Sequence, residues 1–483
     1  MESTISWFTC LVLLNPDLVL NPQPERGTGT VSGLFLFQSI FSLDDSLCSS
    51  FGVSLSFFSS KREETMFRIA QKLLSSSTTA VRSTQSPSLT RSFSANGPDV
   101  DPVSLQMINY ALSLSNSNKS TESYAQSLLI LEQCLSTANV REGVDDNFVD
   151  NTRGTVLLAM STLLSESGDV GEAMEKLERI RDLKSSSLGV RVAAMEALVG
   201  LNLERGQDVD LSSMLADECL ELDKTDTEDG VLRVRAKGIK GLVELVRGNI
   251  EMAEKCFEET QSDEGCSGNV ALSHGELLHA SGKFSLAKSF YEKAIQGVPS
   301  TKEFAGLSGL AACNMVLAEV LLAATCALGQ LEAHSGNFHE AEEMLTKALT
   351  KAEEHFGSHH PKVGVILTCI AFMYRDKARL ERSSSILIQE GLYRRAIDLL
   401  KAPALETEGV DAKGERRDVV ALARGGYAEI LCLQQNRKGE GERMKSWAQS
   451  TWRNRRLSLA EALKFSESSP KVAVVDSRIC RVL

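Results

Sequence analysis

Proline placement constrains the fold of this 483-residue chain more than any other feature. Six of its ten prolines stand at or before Pro102, and the last is Pro470. Between these two positions the only prolines are Pro299, Pro361 and Pro403. Because proline breaks helix interiors, a stretch of roughly 370 residues with so few prolines predicts helix throughout. We therefore expect an all-α protein.

The composition narrows the functional classes. Apolar residues make up 42% and charged residues 24%, which are ordinary values for a soluble folded protein. A net charge of −12 repels phosphate backbones and argues against general nucleic-acid binding. The eleven cysteines never form a C-x-x-C motif, and scattered single thiols suit a reducing compartment. We expect no metal and no cofactor.

Residues 1–65 differ in composition from the rest. The stretch from Val31 to Ser60 is dominated by Ser, Phe, Leu and Gly and has neither a helical nor a strand period. We expect a disordered leader. A translated pyrimidine-rich leader RNA would give the same bias, so the alternative is that translation starts at Met66 and this leader is not part of the native protein. A secretory signal is less favoured, because no Lys or Arg precedes the apolar stretch Trp7–Leu14.

Residues 66–98 have the composition of an organellar transit peptide. Phe67, Ala70 and Leu73 share one helical face, and the stretch contains Arg and Lys but no acid. The segment Arg91–Ala95 resembles a mitochondrial processing-peptidase site. We expect mitochondrial targeting, with the matrix favoured. A chloroplast address and a disordered basic linker in a cytoplasmic protein are the alternatives.

A fixed spacing of small and large residues recurs along the helical stretch. Counting from Gly275, the chain places Gly282, Ala287, Tyr291 and Ala294 at offsets that recur elsewhere. A partial copy starts at Ser161. Two close copies are Gly241, Gly248, Ala253 and Phe257, and Gly329, Gly336, Ala341 and Ala348. Another partial copy contains Gly391 and Ala396.

These offsets have a physical explanation. Antiparallel helices that cross closely need small residues such as Gly275 and Ala287 at the crossing, and Gly282 can end the first helix in a left-handed cap. A large residue such as Tyr291 fills the gap against the next repeat. On these residues the chain resembles the tetratricopeptide-repeat (TPR) family over about residues 120–450. The resemblance implies a TPR-like right-handed superhelical α-solenoid of antiparallel helix pairs, which we assign to residues 99–465, with a flexible C-terminal tail at 466–483.

The turn glycines depart from a regular repeat. They are unevenly spaced, so some helices must be longer or joined by insertions; they are Gly168, Gly206, Gly248, Gly282, Gly336 and Gly391. The stretch His355–Pro361 resembles the longer repeats of kinesin light chains. A cytosolic kinesin-light-chain-like adaptor is therefore an alternative.

A TPR array implies a concave groove that binds a protein or peptide segment. The residues we expect to face it are Gly238, Cys326 and the partner-binding candidates Leu242, Leu272, Glu276, His279 and Gln330. They contain no Lys, Arg and Asn clamp of the kind with which TPR proteins bind a chaperone's C-terminal carboxylate. We therefore expect a more apolar partner segment.

The remaining motifs leave the class of function unchanged. Phe304–Leu331 is long and weakly charged, but Asn314 and Glu319 lie within it, so we interpret it as a buried solenoid helix instead of a stable membrane span. Arg437–Arg456 combines basic residues with Trp447 and Trp452, as RNA-binding segments do. No catalytic motif occurs, so we expect no enzyme. The sequence favours a mitochondrial protein-interaction scaffold or assembly factor, with an organellar RNA-associated helical-repeat protein as the alternative.

Overall fold

Helices dominate the part of the chain that the computed structural model describes. The described residues are 100–138, 145–206, 209–223, 230–258, 260, 268–296, 310–382, 385–405, 416–464 and 471–483. The leader predicted for residues 1–65 and the transit peptide predicted for residues 66–98 lie outside these ranges.

The long helices of the described residues follow one another as pairs. The pairs are α1 (Pro102–Ser117) with α2 (Thr121–Ala138), α3 (Asp146–Ser167) with α4 (Val170–Arg181), α5 (Leu188–Arg205) with α6 (Val209–Asp223), α7 (Gly230–Arg247) with α8 (Ile250–Glu258), α9 (Gly268–Ala280) with α10 (Phe284–Gln296), α11 (Leu317–His334) with α12 (Phe338–Phe356), α13 (Pro361–Glu381) with α14 (Ile386–Leu399), and α15 (Arg417–Leu433) with α16 (Lys438–Thr451).

Three smaller elements complete the described chain. A short helix, α17 (Leu459–Ala462), follows the last pair. Beyond it, β1 (Val475–Asp476) and β2 (Arg481–Val482) form a two-stranded antiparallel hairpin. A 3₁₀ turn, Cys313–Met315, precedes α11.

The pairs stack into a solenoid. Each second helix packs against its own first helix and against the first helix of the next pair, and consecutive first helices from α1 to α15 touch one another. This nearest-neighbour packing is the architecture expected of stacked helical repeats. The all-α solenoid predicted from the sequence is confirmed.

First and second helices differ in how much of their surface is covered. In α10 only Ala287, Tyr291 and Ala294 are buried, which is one face of the helix. In α9 every residue from Val270 to Ala280 is buried. A helix that is buried all round is covered on two sides, so something other than its partner helix must lie on the inner side of α9.

The glycines of the repeat lie where helices of a pair cross without room for a side chain. A Cβ atom on Gly275 would stand 2.7 Å from the ring of Tyr291, far inside contact distance. The same holds for Gly241 against Phe257 and for Gly329 against Leu345. The alanines of the repeat are fully buried in the same interfaces: Ala253, Ala287, Ala294, Ala341, Ala348 and Ala396.

Left-handed glycines end most first helices. Gly282 has φ of +73°, and the next residue, Lys283, donates its N–H to the Leu278 carbonyl at 2.8 Å, which closes a Schellman motif. Positive φ values also occur at Gly168, Gly206, Gly248 and Gly336.

The prediction that Gly391 is a turn glycine is wrong. Gly391 lies inside α14, and α13 ends instead at Arg382, which takes the left-handed conformation with φ of +51°. Tyr393 stands as far into α14 as Tyr291 stands into α10 and is likewise fully buried. The repeat register in which Gly391 aligns with Gly282 is therefore wrong for this helix pair.

Candidate partner-binding groove

The first helices α3 to α15 line one face of the solenoid, which we call the groove. Two segments of the same chain contact these helices. The inner segment is Leu310–Val316, and the C-terminal segment is residues 471–483. Together they cover the inner side of the first helices, which explains why those helices are buried all round.

The inner segment crosses the first helices of the N-terminal half. Cys313 donates its backbone N–H to Thr162 Oγ1 on α3 at 3.0 Å, and Asn314 Nδ2 donates to Glu204 on α5 at 3.1 Å. Arg235 on α7 donates to the Leu310 carbonyl at 2.7 Å, and Asn269 on α9 donates to the Met315 carbonyl at 2.8 Å. Four helices therefore bind this segment through polar contacts.

The C-terminal segment is a buried hairpin. Val475 pairs with Val482 and Asp476 with Arg481, and the Leu483 N–H donates to the Val474 carbonyl at 2.7 Å. Val474 to Cys480 are all buried. The flexible tail predicted for residues 466–483 is thus wrong for 471–483, because backbone pairing and burial hold these residues in place.

Arg478 stands at the tip of the hairpin with a fully buried side chain. Its guanidinium donates to the carbonyl oxygen of the Asn269 side chain at 2.9 Å, to Ser273 Oγ at 3.1 Å and to Glu276 Oε2 at 2.8 Å. These three acceptors follow one stripe of α9, since they occupy positions i, i+4 and i+7. We call them the arginine site. Asp476, two residues before the arginine, accepts a further bond at 2.8 Å.

The Arg478 guanidinium contacts two carboxylates, Glu276 of the arginine site and Asp476 of its own segment. Burial, and then the neighbouring Asp476 carboxylate, raise the pKa of Glu276 well above its ordinary value despite the Arg478 guanidinium. Glu276 Oε1 receives no hydrogen bond. The second carboxylate, which the C-terminal segment itself brings, therefore opposes ionisation of Glu276.

Gln330 on α11 binds the main chain of the hairpin. Its Nε2 donates to the Val475 carbonyl at 2.9 Å, and its Oε1 accepts the Val475 N–H at 2.9 Å. A side-chain amide that satisfies both backbone groups of one residue can bind an extended segment whatever its side chain there.

The loop after α16 holds the other strand. Asn454 Nδ2 donates to the Val482 carbonyl at 2.5 Å, and Arg456 donates to the Leu483 carbonyl oxygen at 2.6 Å and to the Ala280 carbonyl at 3.1 Å. Burial lowers the pKa of Arg456 to about 10. These basic and amide contacts come from outside the first helices, and they were not predicted from the sequence.

A second buried charge cluster joins three first helices near the hairpin. Lys362 Nζ lies 2.6 Å from Glu319 Oε1 and 3.9 Å from Glu204 Oε2. One ammonium faces two carboxylates, of which Glu319 is buried and Glu204 partly exposed, and burial raises the pKa of Glu319 to about 7. Burial alone would lower the pKa of Lys362, but the carboxylates of Glu204 and Glu319 outweigh it and raise it.

The five predicted groove residues divide into two groups. Glu276 and Gln330 bind the C-terminal segment directly. Leu242 and Leu272 are buried within apolar clusters of the solenoid. His279 is fully buried and bonds Tyr291 Oη at 3.1 Å and His334 Nδ1 at 2.8 Å, as part of the core.

Three residues of this contact were not predicted as groove residues: Asn269, Ser273 and the occupant Arg478. The polar stripe on α9 was readable, because Asn269, Ser273 and Glu276 recur at helical spacing within a helix that is otherwise apolar. The expected apolar partner segment also differs from the segment that the groove holds, whose central side chain is an arginine.

The aromatic residues of Arg437–Arg456 lie in internal contacts. Trp447 is buried, and the Arg424 guanidinium lies 3.9 Å from its ring centre. Arg437 binds Glu390 at 2.5 Å and Glu440 at 2.9 Å. These contacts give no support to an RNA-binding function for this segment.

Helix pairs stacked around an inner groove define a helical-repeat protein. Residues 321–362, which run from α11 into α13, match the family model for the tetratricopeptide repeat. The match identifies a tetratricopeptide repeat at these residues and agrees with the repeat predicted from the sequence. No helix among the described residues is long and apolar enough to cross a membrane.

Comparison with individual proteins adds little. No curated protein matches the sequence. Among solved structures, the chain is similar to the crystal structure of the yeast Tom70, with 13% identity and a TM-score of 0.26 over 73% of this chain and 90% of that chain.

Proposed function

We propose that this chain is a mitochondrial protein-interaction scaffold that binds an extended segment of a partner protein in its groove. Proteins built from tetratricopeptide repeats bind protein partners. The observation that carries the proposal is the contact between Gln330 and both backbone groups of Val475. It is a way of binding polypeptide that another extended chain could share.

The groove also offers side-chain discrimination beside this backbone contact. The arginine site on α9 supplies three acceptors to one guanidinium. Backbone contacts give affinity and a side-chain pocket gives specificity in peptide recognition of this kind. These two elements support a peptide-binding function better than a catalytic one.

Photo-crosslinking from within the groove tests the proposal. Benzoylphenylalanine would replace Phe372, which lines a cleft between α11, α13, α15 and the C-terminal segment. The matched control would replace Leu286, which is 55% exposed on the outer face of α10. We expect a crosslink to another protein from position 372 and none from position 286. Crosslinks from 286 alone, or from neither position in intact mitochondria, would contradict groove binding.

The mitochondrial location rests on residues 66–98, with their basic, acid-free, Ser-rich composition. Fusing these residues to a fluorescent protein tests targeting, and N-terminal sequencing of the mature protein tests processing after Arg91. The matrix location is tested by adding protease to mitochondria whose outer membrane has been opened and whose inner membrane is intact. A matrix protein should resist the protease. A chloroplast or cytoplasmic signal, or a mature N-terminus before Met66, would contradict this part of the proposal.

A further inference from the structure

The groove is not empty in the folded chain. The C-terminal segment lies on α9, α11 and α15 and fills the positions that a partner segment needs under the proposed function. A partner must therefore either bind elsewhere or replace this segment. The chemistry of the contacts separates these two cases.

We infer that residues 471–483 are an intramolecular ligand of the groove, and that the partner replaces it with an extended segment centred on an arginine. This inference rests on the proposed function, because it assigns the occupant and the regulation of the same groove. The arginine would enter the site made by Asn269, Ser273 and Glu276, while the residue three before it would pair with Gln330.

Arginine fits this site better than any other side chain. The three acceptors on α9 and the Asp476 carboxylate surround one planar group at 2.8–3.1 Å. Guanidinium carries five N–H donors in a fixed plane, whereas lysine offers one compact ammonium. A neutral partner side chain would leave the acceptors Asn269, Ser273 and Glu276 without the one charged donor that binds all three.

The intramolecular ligand satisfies this site incompletely. Asp476 brings a second carboxylate to the same guanidinium, and its charge raises the pKa of Glu276 and so opposes ionisation of the residue that faces Arg478. A partner segment that carries the arginine without the acid two residues before it removes this repulsion. Such a segment has an advantage over the chain's own residues, which is the condition for displacement.

Cutting the chain after folding tests the inference without preventing folding. A protease recognition sequence is inserted between Lys464 and Lys471, and the purified protein is cleaved. A fluorescent synthetic peptide of residues 471–483 is then added, and its binding is followed by fluorescence anisotropy. We expect the labelled peptide to exchange with the cut segment and to bind saturably.

Two altered peptides test the arginine site. Citrulline in place of Arg478 keeps the shape and removes the charge, and we expect about tenfold weaker binding or more. Citrulline in place of Arg481, which lies outside the arginine site with its Nε 3.9 Å from Asp418, should weaken binding less than citrulline at position 478 does.

The outcomes separate the inference from the proposed function. If the cut segment never exchanges, or if both citrulline peptides bind alike, residues 471–483 are not an arginine-directed ligand and the inference is overturned. The crosslink from position 372 in intact mitochondria is a separate result, so groove binding of a partner can stand or fall by itself. Exchange with selective loss at position 478 supports the inference.

Discussion

Replacing Gly275 by alanine tests the helix crossing on which the repeat depends. The added Cβ would stand 2.7 Å from two ring carbons of Tyr291 and 3.3 Å from Phe290 Cβ. Carbon atoms in contact prefer about 3.5–4.0 Å, so the Tyr291 ring must move by nearly 1 Å. Its hydroxyl is bonded to His279 at 3.1 Å, and the movement strains that bond as well.

The expected size follows from two opposing effects. Overpacking of this kind costs about 1–3 kcal/mol, whereas alanine in a helix interior gains about 1 kcal/mol over glycine. We expect the α9–α10 pair to lose up to about 2 kcal/mol. Native-state hydrogen exchange of the α9 and α10 amides measures this locally, which suits a solenoid whose repeats open separately.

Gly439 is the matched control for this substitution. It is exposed in α16, and a Cβ there meets nothing within 4 Å, so Gly439→Ala should be neutral or stabilising. Adding Tyr291→Leu to Gly275→Ala should recover part of the loss. The repeat that starts at Ser161 has such a combination, because it has serine in the position of Gly275 and Leu177 in the position of Tyr291. If Gly275→Ala leaves hydrogen exchange of the α9 and α10 amides as slow as Gly439→Ala leaves exchange in α16, or slower, the close crossing is not a packing constraint.

Three further substitutions test the caps and the buried charges. Gly336→Ala, at φ of +82° with open space around it, should cost about 1 kcal/mol from backbone strain alone, measured by exchange of the α11 and α12 amides; no change would exclude a strained cap. Lys362→Met leaves Glu204 and Glu319 without a cation and should lower the free energy of unfolding by about 3–5 kcal/mol in urea titrations, whereas Lys438→Met, at an exposed pair, should change it little. Because the pKa of Glu276 is raised when the segment is bound, binding takes up a proton, and affinity of the 471–483 peptide should fall as pH rises above the ordinary value of 4.5. The groups facing Glu276 are Asp476 and Arg478, so Glu276→Gln should flatten this pH dependence, and an unchanged slope would assign it elsewhere.

Local pattern was enough to predict the solenoid and its crossings. Gly241 contacts Phe257, and Gly275 contacts Tyr291, each across the single turn that joins the two helices of a pair. Their spacing in sequence therefore predicts their contact in space. The same method failed at Gly391, because α13 ends at Arg382, a non-glycine residue in the left-handed conformation that carries no sequence signal.

The occupant of the groove could not be predicted in this way. Arg478 lies 202 residues from Glu276 in sequence, and no local spacing encodes a contact of that length. The β-branched residues Val474, Val475 and Ile479 favour a strand over a flexible tail, but they do not indicate where that strand would pack. Only side chains of the groove itself could therefore be predicted from the sequence. Among them, Glu276 and Gln330 bind the segment.

The buried ions at the hairpin tip are costly for a segment that only needs to fill space. Removing an arginine and two carboxylates from water costs several kcal/mol per ion, and apolar replacements of such clusters are often as stable. We therefore expect the triad of Glu276, Asp476 and Arg478 to fix the register in which a segment binds, more than its affinity. An alanine inserted between Val475 and Asp476 of the 471–483 peptide should weaken binding to the cut chain by about tenfold, because Gln330 and the arginine site can no longer be occupied together.

The same insertion should matter little once the charges are gone. With Glu276→Leu in the chain and both Asp476→Leu and Arg478→Met in the peptide, the inserted and uninserted peptides should differ by less than about threefold. A comparable penalty in both backgrounds would mean that Gln330 and the hairpin backbone set the register by themselves. In that case the arginine would contribute affinity alone, and a partner would need only an extended backbone to compete for the groove.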